Sequence, residues 1–165
     1  ENMLHDLVKR HKNFNFPHFA QNLENAFVMI IEAFAEGDTD TLESLLAPDV
    51  YQAFAGVIAE RQARGEIVET EVQSVEKIDI TEVKLDDEQL MITARFTARE
   101  ICVIRDKEGE IISGNPERVT EMVDVWVFGR DINTKGPEWY LVETRDDEIE
   151  DHKTPIPEAG SDKKK

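Results

Sequence analysis

The chain holds a single cysteine, Cys102, so it can form no internal disulfide, and a thiolate zinc cluster is not expected. No apolar run is long enough to cross a bilayer as a helix, and no secretory signal pattern is present. Basic residues are scarce, 19 against 36 acidic ones, which leaves a formal net charge of −17. A body this acidic repels nucleic-acid phosphates and anionic lipid headgroups, so no nucleic-acid partner is expected. Also missing are a glycine-rich phosphate loop, a nucleophile elbow and a His-Glu-x-x-His helix. His5, His11 and His18 are six and seven residues apart, a spacing that does not stack them on one helical face. No metal and no cofactor are therefore expected. Cys102 itself reads as a small buried residue of a strand.

What is present is a change of period. At 165 residues the chain fits one domain, which can bury roughly two-thirds of its unfolded surface. Residues 1–15 are polar, and Leu4, Leu7 and Val8 form a weak stripe on a short helix of an N-terminal extension. Pro17 suits the first turn of the strong helix that follows, where a missing N–H costs nothing. Phe19, Leu23, Phe27, Ile30 and Phe34 recur every three or four residues, and Met29 and Ile31 widen that face. Gly37 stops the helix and Asp38 caps the next, whose buried side is Leu42, Leu45 and Leu46. Pro48 restarts the chain, with Asp49 at the positive end of the helix dipole. Tyr51, Phe54, Val57 and Ile58 form its inner face, Arg61 and Arg64 fall in the last turn, and Gly65 ends it.

Beyond Gly65 the period becomes two. Leu90, Ile92, Ala94, Phe96, Ala98, Cys102 and Ile104 share one parity, and Thr93, Arg95, Thr97 and Arg99 the other, which predicts one buried and one wet face. Turns at Asp86-Asp87-Glu88 and Lys107-Glu108-Gly109-Glu110 force antiparallel neighbours. Ser113-Gly114-Asn115-Pro116 marks a bulge or bend. Val123, Val125 and Val127 point one way and Met122, Trp126 and Phe128 the other, so this strand needs cover on both sides: from the chain, a partner or an apolar ligand. Trp139 to Thr144 is the last strand. The expectation is an α+β fold, with helices of residues 17–36 and 48–64 on one face of a curved, four-stranded antiparallel sheet. An acidic run and two prolines follow, so residues 148–165 are expected to form a disordered tail. The domain proper spans residues 16–147.

Two polar side chains invite a chemical reading. Asp124 shares a face with Met122 and Trp126; in an apolar cavity its pKa would rise and make it a useful base, with Tyr51 as a hydrogen-bond donor. The alternative pairs Asp124 with an arginine such as Arg95 or Arg130. Arg95, Arg99 and Arg105 form a row expected to pair with carboxylates of neighbouring strands.

Ala26-Phe27-x-x-Ile30-Ile31-x-Ala33-Phe34-x-x-Gly37-Asp38, then Leu42-x-x-Leu45-Leu46-x-Pro48-x-Val50-Tyr51-x-x-Phe54, then Trp126-x-Phe128-x-Arg130 resemble the Tim44-like domain family. That family comprises the C-terminal domain of a mitochondrial inner-membrane translocase subunit and its alphaproteobacterial relatives, within the NTF2-like superfamily. The resemblance implies a cone-shaped NTF2-like fold enclosing an apolar pocket. It also implies a non-enzymatic binding or tethering domain, related to protein translocation or membrane-protein assembly. In mitochondria the full-length protein tethers a heat-shock chaperone to the import channel. It further implies association with the cytoplasmic face of a bacterial inner membrane through a segment upstream of Glu1. The partner would be a protein or an apolar ligand. Phe27, Ile30, Phe34, Phe54, Val57, Met122, Trp126 and Phe128 are the candidate pocket residues, each of which also fits an ordinary core. The other readings are a pocket enzyme of isomerase or dehydratase type, with Asp124 as base, and a structural oligomerisation domain.

Overall fold

The computed structural model describes residues 16–133, 139–145 and 156–160. The stripe at Leu4, Leu7 and Val8 and the acidic run after Arg145 lie outside them. Helix α1, Phe16–Glu36, buries Phe19, Leu23, Phe27, Ile30 and Phe34 as its spacing requires. Ile31 widens the buried face, but Met29 is 49% exposed, so the face extends to one side only. At the helix end Gly37 takes the left-handed conformation, φ 74°, and the Asp38 N–H reaches back to the Ala33 carbonyl at 2.9 Å. The Asp38 carboxylate then caps α2, Thr39–Leu45, accepting from the Thr41 N–H at 3.2 Å and the Thr41 hydroxyl at 2.7 Å. Helix α3, Pro48–Ala63, has no side-chain cap and relies on Pro48 in its first turn. The Ala47 N–H donates to the Leu141 carbonyl at 2.9 Å, tying the α2–α3 junction to the sheet.

The strands are β1 Ile67–Asp86, β2 Gln89–Arg105, β3 Ile111–Gly114, β4 Thr120–Asp131, β5 Tyr140–Arg145 and β6 Ala159–Gly160. They form one antiparallel sheet in the order β1-β2-β4-β5-β6, with β3 pairing the end of β2. Among the described residues the sheet therefore has six strands, not four. The two extra strands escape the sequence pattern because β3 is four exposed residues and β6 only two, too short to show a period. The β1–β2 turn falls where expected, with Asp87 and Glu88 both at positive φ, 51° and 71°. That is the backbone a two-residue hairpin needs to match the twist of its strands. Three register shifts along β1 mark bulges, which bend and twist a strand.

Two further expectations change. The second face of β2 is not plainly wet: Thr93 and Thr97 are buried and pair across with Val127 and Val123, themselves buried. β2 is an interior strand between β1 and β4, so its small side chains are closed over from both flanks. Nor is everything beyond residue 148 outside the fold. Residues 156–160 return to the sheet, with Ile156 and Ala159 in the core. An isoleucine, an alanine and a glycine suffice to dock on a surface that already exists, which average composition does not reveal.

The core lies between the helices and the even-numbered face of β2 and β4. Phe27 of α1 stacks on Phe96 of β2 with ring centroids 4.4 Å apart. Trp126 of β4 lies 4.9 Å from Phe27 and 5.7 Å from Phe96, and Phe128 adjoins both strand aromatics.

Candidate functional site

The β2–β4 register sets Phe96 opposite Asp124, Ala98 opposite Met122 and Glu100 opposite Thr120. Alternation puts all of these on the face that carries the aromatic core. Past the aromatics, that face changes character: Asp124 is 1% exposed and Glu100 wholly buried. Neither carboxylate oxygen of Glu100 makes a hydrogen bond among the described residues. Burial, and then the neighbouring Asp124 charge, push the Glu100 pKa up from 4.5 to about 8. At neutral pH this carboxyl is held mostly as the neutral acid. The sequence carried a signal for it, since Glu100 is the single charged residue on the buried parity of residues 90–104.

Beside Glu100 opens a groove of about 440 Å³, lined by Cys102 and Ile104 of β2, Ser113, Gly114 and Asn115, and Arg118, Thr120 and Met122. Three of these surround Glu100: Cys102 is two residues along its strand, Thr120 is its cross-strand partner and Met122 the diagonal neighbour. The Thr70 hydroxyl contacts the Cys102 sulfur at 3.4 Å. The lining thus joins apolar side chains to hydroxyl, amide and guanidinium groups, the composition of a surface that binds by contact.

Arg61 falls in the last turn of α3 as expected, and it is buried there. Its guanidinium donates to the Phe34 carbonyl and, at 3.1 Å, to the Ala35 carbonyl, and lies 4.6 Å from the Phe34 ring centre. These are carbonyls of the last turn of α1, which no helical N–H can reach, so one helix caps the other. Burial pulls the Arg61 pKa below its ordinary value, against the opposing pull of Cys102 and Glu66. Replacing Arg61 with methionine should cost about 2 kcal/mol, because the Ala35 carbonyl loses its donor and the Phe34 carbonyl keeps only the Gly37 N–H at 3.3 Å. Urea unfolding of the variant checks this, and an unchanged midpoint would remove the cap from the account.

Residues 1–146 match the Tim44-like domain family. The chain belongs to that family. Human mitochondrial import inner membrane translocase subunit TIM44 is 24% identical over 144 residues, covering 86% of this chain and 32% of the relative. TIM44-1 of Arabidopsis thaliana is 23% identical over 123 residues, 74% of this chain and 26% of the relative. The probable subunit tin-44 of Caenorhabditis elegans is 22% identical over 145 residues, 86% of this chain and 34% of the relative. The chain thus spans about a third or less of the curated relatives it matches. Among solved structures, the intermembrane space region of chloroplast protein ARC6 superposes with a TM-score of 0.46 at 16% identity, covering 76% of this chain and 94% of that one.

Within this Tim44-like chain, Phe27, Ile30, Phe34, Phe54, Trp126 and Phe128 all lie in the packed core, and Val57 packs half-buried against it. Met122 is the one of the eight candidate residues that lines the groove. Tyr51 is half-buried against the same core, and its hydroxyl makes no hydrogen bond to Asp124. Of the arginine row, Arg105 pairs with Glu69 of β1 at 3.1 Å. Among the described residues no three His, Cys, Asp or Glu side chains gather as metal ligands, and no helix is long and apolar enough to cross a membrane.

Proposed function

We propose that this Tim44-like domain is a non-catalytic protein-binding domain that acts at the cytoplasmic face of a bacterial inner membrane, with the Met122 groove as its partner-facing site. The observation that carries the proposal is the groove itself. Its lining joins Met122, Cys102 and Ile104, on the parity of β2 and β4 that builds the core, to the polar side chains of Ser113, Asn115 and Arg118. The other seven candidate residues then act through the core that holds β2 and β4 in register, and Met122 makes the contact. Family membership supports the reading, because the matched relatives are named as translocase subunits of an inner membrane. The charge of −17 favours a partner with a basic surface, which it would steer in at low salt. The enzyme reading needs Asp124 and Tyr51 to converge on one substrate, and no hydrogen bond joins them.

Capture from detergent-solubilised inner membranes tests the proposal, with the full chain as bait beside Met122→Asp and Arg118→Glu variants. Both substitutions should leave the melting temperature within a few degrees and remove at least one protein captured by the parent chain. Identical capture by all three folded baits would refute the groove as the binding surface.

A further inference from the structure

Glu100 stands where β2 changes partner. The β2–β4 pairing ends at Glu100–Thr120 and the β2–β3 pairing begins at Val103–Gly114, so Ile101 and Cys102 lie between the two ladders on that flank. The groove lies at this gap, with Cys102, Gly114, Thr120 and Met122 in its lining. Its two strand walls differ in how far they can give. A Cβ at Gly114 would overlap the Cys102 carbonyl, so β3 is pressed against β2 and fixes one wall. The other wall is the start of β4, where Thr120 is exposed and ends its ladder. Ladder ends open locally at the least cost.

The carboxyl at this end is badly placed to carry a charge. Glu100 is wholly buried, and neither of its oxygens has a hydrogen-bond partner among the described residues. On β1 the residue opposite it is Val72, and on β2 its same-face neighbours are Ala98 and Cys102. From β4 the Asp124 charge opposes its ionisation, and among the described residues no cation eases it. Arg99 and Glu121 face the other side of the sheet by alternation. From α3, Arg61 reaches the field of Cys102, but its guanidinium is engaged by the Phe34 and Ala35 carbonyls. An ionised Glu100 can therefore reach water by releasing Thr120 from the end of β4, without opening the rest of the sheet. That movement separates Thr120 from Cys102, two residues of the groove lining, and turns the carboxylate towards the groove that carries the exposed Arg118.

We propose that Glu100 is a proton gate for the Met122 groove: the neutral acid keeps the β2–β4 end closed and the groove in shape, and the ionised form frees the start of β4. This rests on the reading of the groove as the partner-facing site and adds its regulation. The folded protein holds this proton more tightly than an opened strand end does, so the closed groove prevails at low pH and is lost as the pH rises.

Cys102 is the single cysteine of the chain and lines the groove, so its alkylation by N-ethylmaleimide reports the opening without any partner. Dividing the parent's rate by that of Glu100→Gln at each pH cancels the ordinary gain in thiolate. The ratio should be near one at pH 5 and rise about tenfold or more by pH 9, because opening relieves a buried charge in the parent only. A new negative charge beside Cys102 would by itself slow alkylation, so a rise does not come from that charge directly. A ratio that stays level or falls overturns the proposal. Hydrogen exchange of the parent, corrected for intrinsic rates, shows where the opening lies and decides alone if Glu100→Gln does not fold. Exchange at residues 120–122 should quicken between pH 5 and pH 9, and unchanged rates overturn the proposal. At pH 9, low urea should speed exchange at Phe96 and Trp126 but not at residues 120–122, whose opening exposes little surface. A urea dependence shared by all of them makes the opening global and overturns the proposal. No partner enters either measurement, so a groove that opens as stated yet captures no protein would fail the proposed function alone.

Discussion

Between pH 5 and pH 9 the protein should lose stability steeply, and Glu100→Gln should abolish most of that loss. Glu100 is wholly buried, and its pKa rises from 4.5 to about 8 under burial and the nearby Asp124 charge. A raised folded-state pKa means that the native protein keeps a proton the unfolded chain releases. Below about pH 4.5 both states are protonated and the contribution to stability is fully present. As the pH climbs towards 8 the unfolded state ionises freely while the native state does not, and the contribution is lost. A move from 4.5 to about 8 corresponds to about 5 kcal/mol at 1.36 kcal/mol per pH unit. That is a large share of the roughly 5–15 kcal/mol that stabilises an ordinary domain. Other carboxylates in this acidic chain also titrate, so the informative quantity is the difference between parent and variant. Urea midpoints at pH 5, 7 and 9 should converge for Glu100→Gln and its parent at pH 5 and separate by pH 9, with the variant the more stable. Parallel curves would show that Glu100 ionises normally.

Trp126→Ala should destabilise the fold by about 3–5 kcal/mol, as expected for a large aromatic lost from a core. The indole is fully buried and sits 4.9 Å from Phe27, 5.7 Å from Phe96 and 6.0 Å from Phe128, so its removal opens a cavity bounded by α1, β2 and β4. Trp126→Phe, which keeps a ring in place, should cost less than half as much. Denaturant unfolding with a mutation-independent slope would supply the values. An alanine variant as stable as the parent would mean that the ring does not anchor this cluster. Below its melting temperature, a folded Trp126→Ala protein should capture the same partners as the parent, since Met122 and not Trp126 faces the groove.

The candidate site was legible only in part, for a physical reason. Phe27, Phe34, Phe54 and Trp126 are large aromatic residues on buried faces, and hydrophobicity alone does not say whether an aromatic lines a pocket or fills a core. Packing decides, and here the rings close on one another. Glu100 was detectable as a charge on a buried parity, yet its proximity to Asp124 depends on pairing two strands more than twenty residues apart.

Local physics accounts for what the sequence determined unaided. The start of α1 beside Pro17, its stop at Gly37, the Asp38 cap, the restart at Pro48 and the hairpin turn at Asp87-Glu88 all depend on interactions within a few residues. The alternation of β2 likewise declares which face packs on the helices. The tertiary structure alone decided three other features. Arg61 caps carbonyls 26 and 27 residues earlier in the chain, Glu100 is stripped of water by strands that meet only on folding, and Ala159 and Gly160 become a strand because β5 has an outer edge to receive them. Each of these rests on a partner distant in sequence, and no local pattern encodes a partner that only the fold brings near.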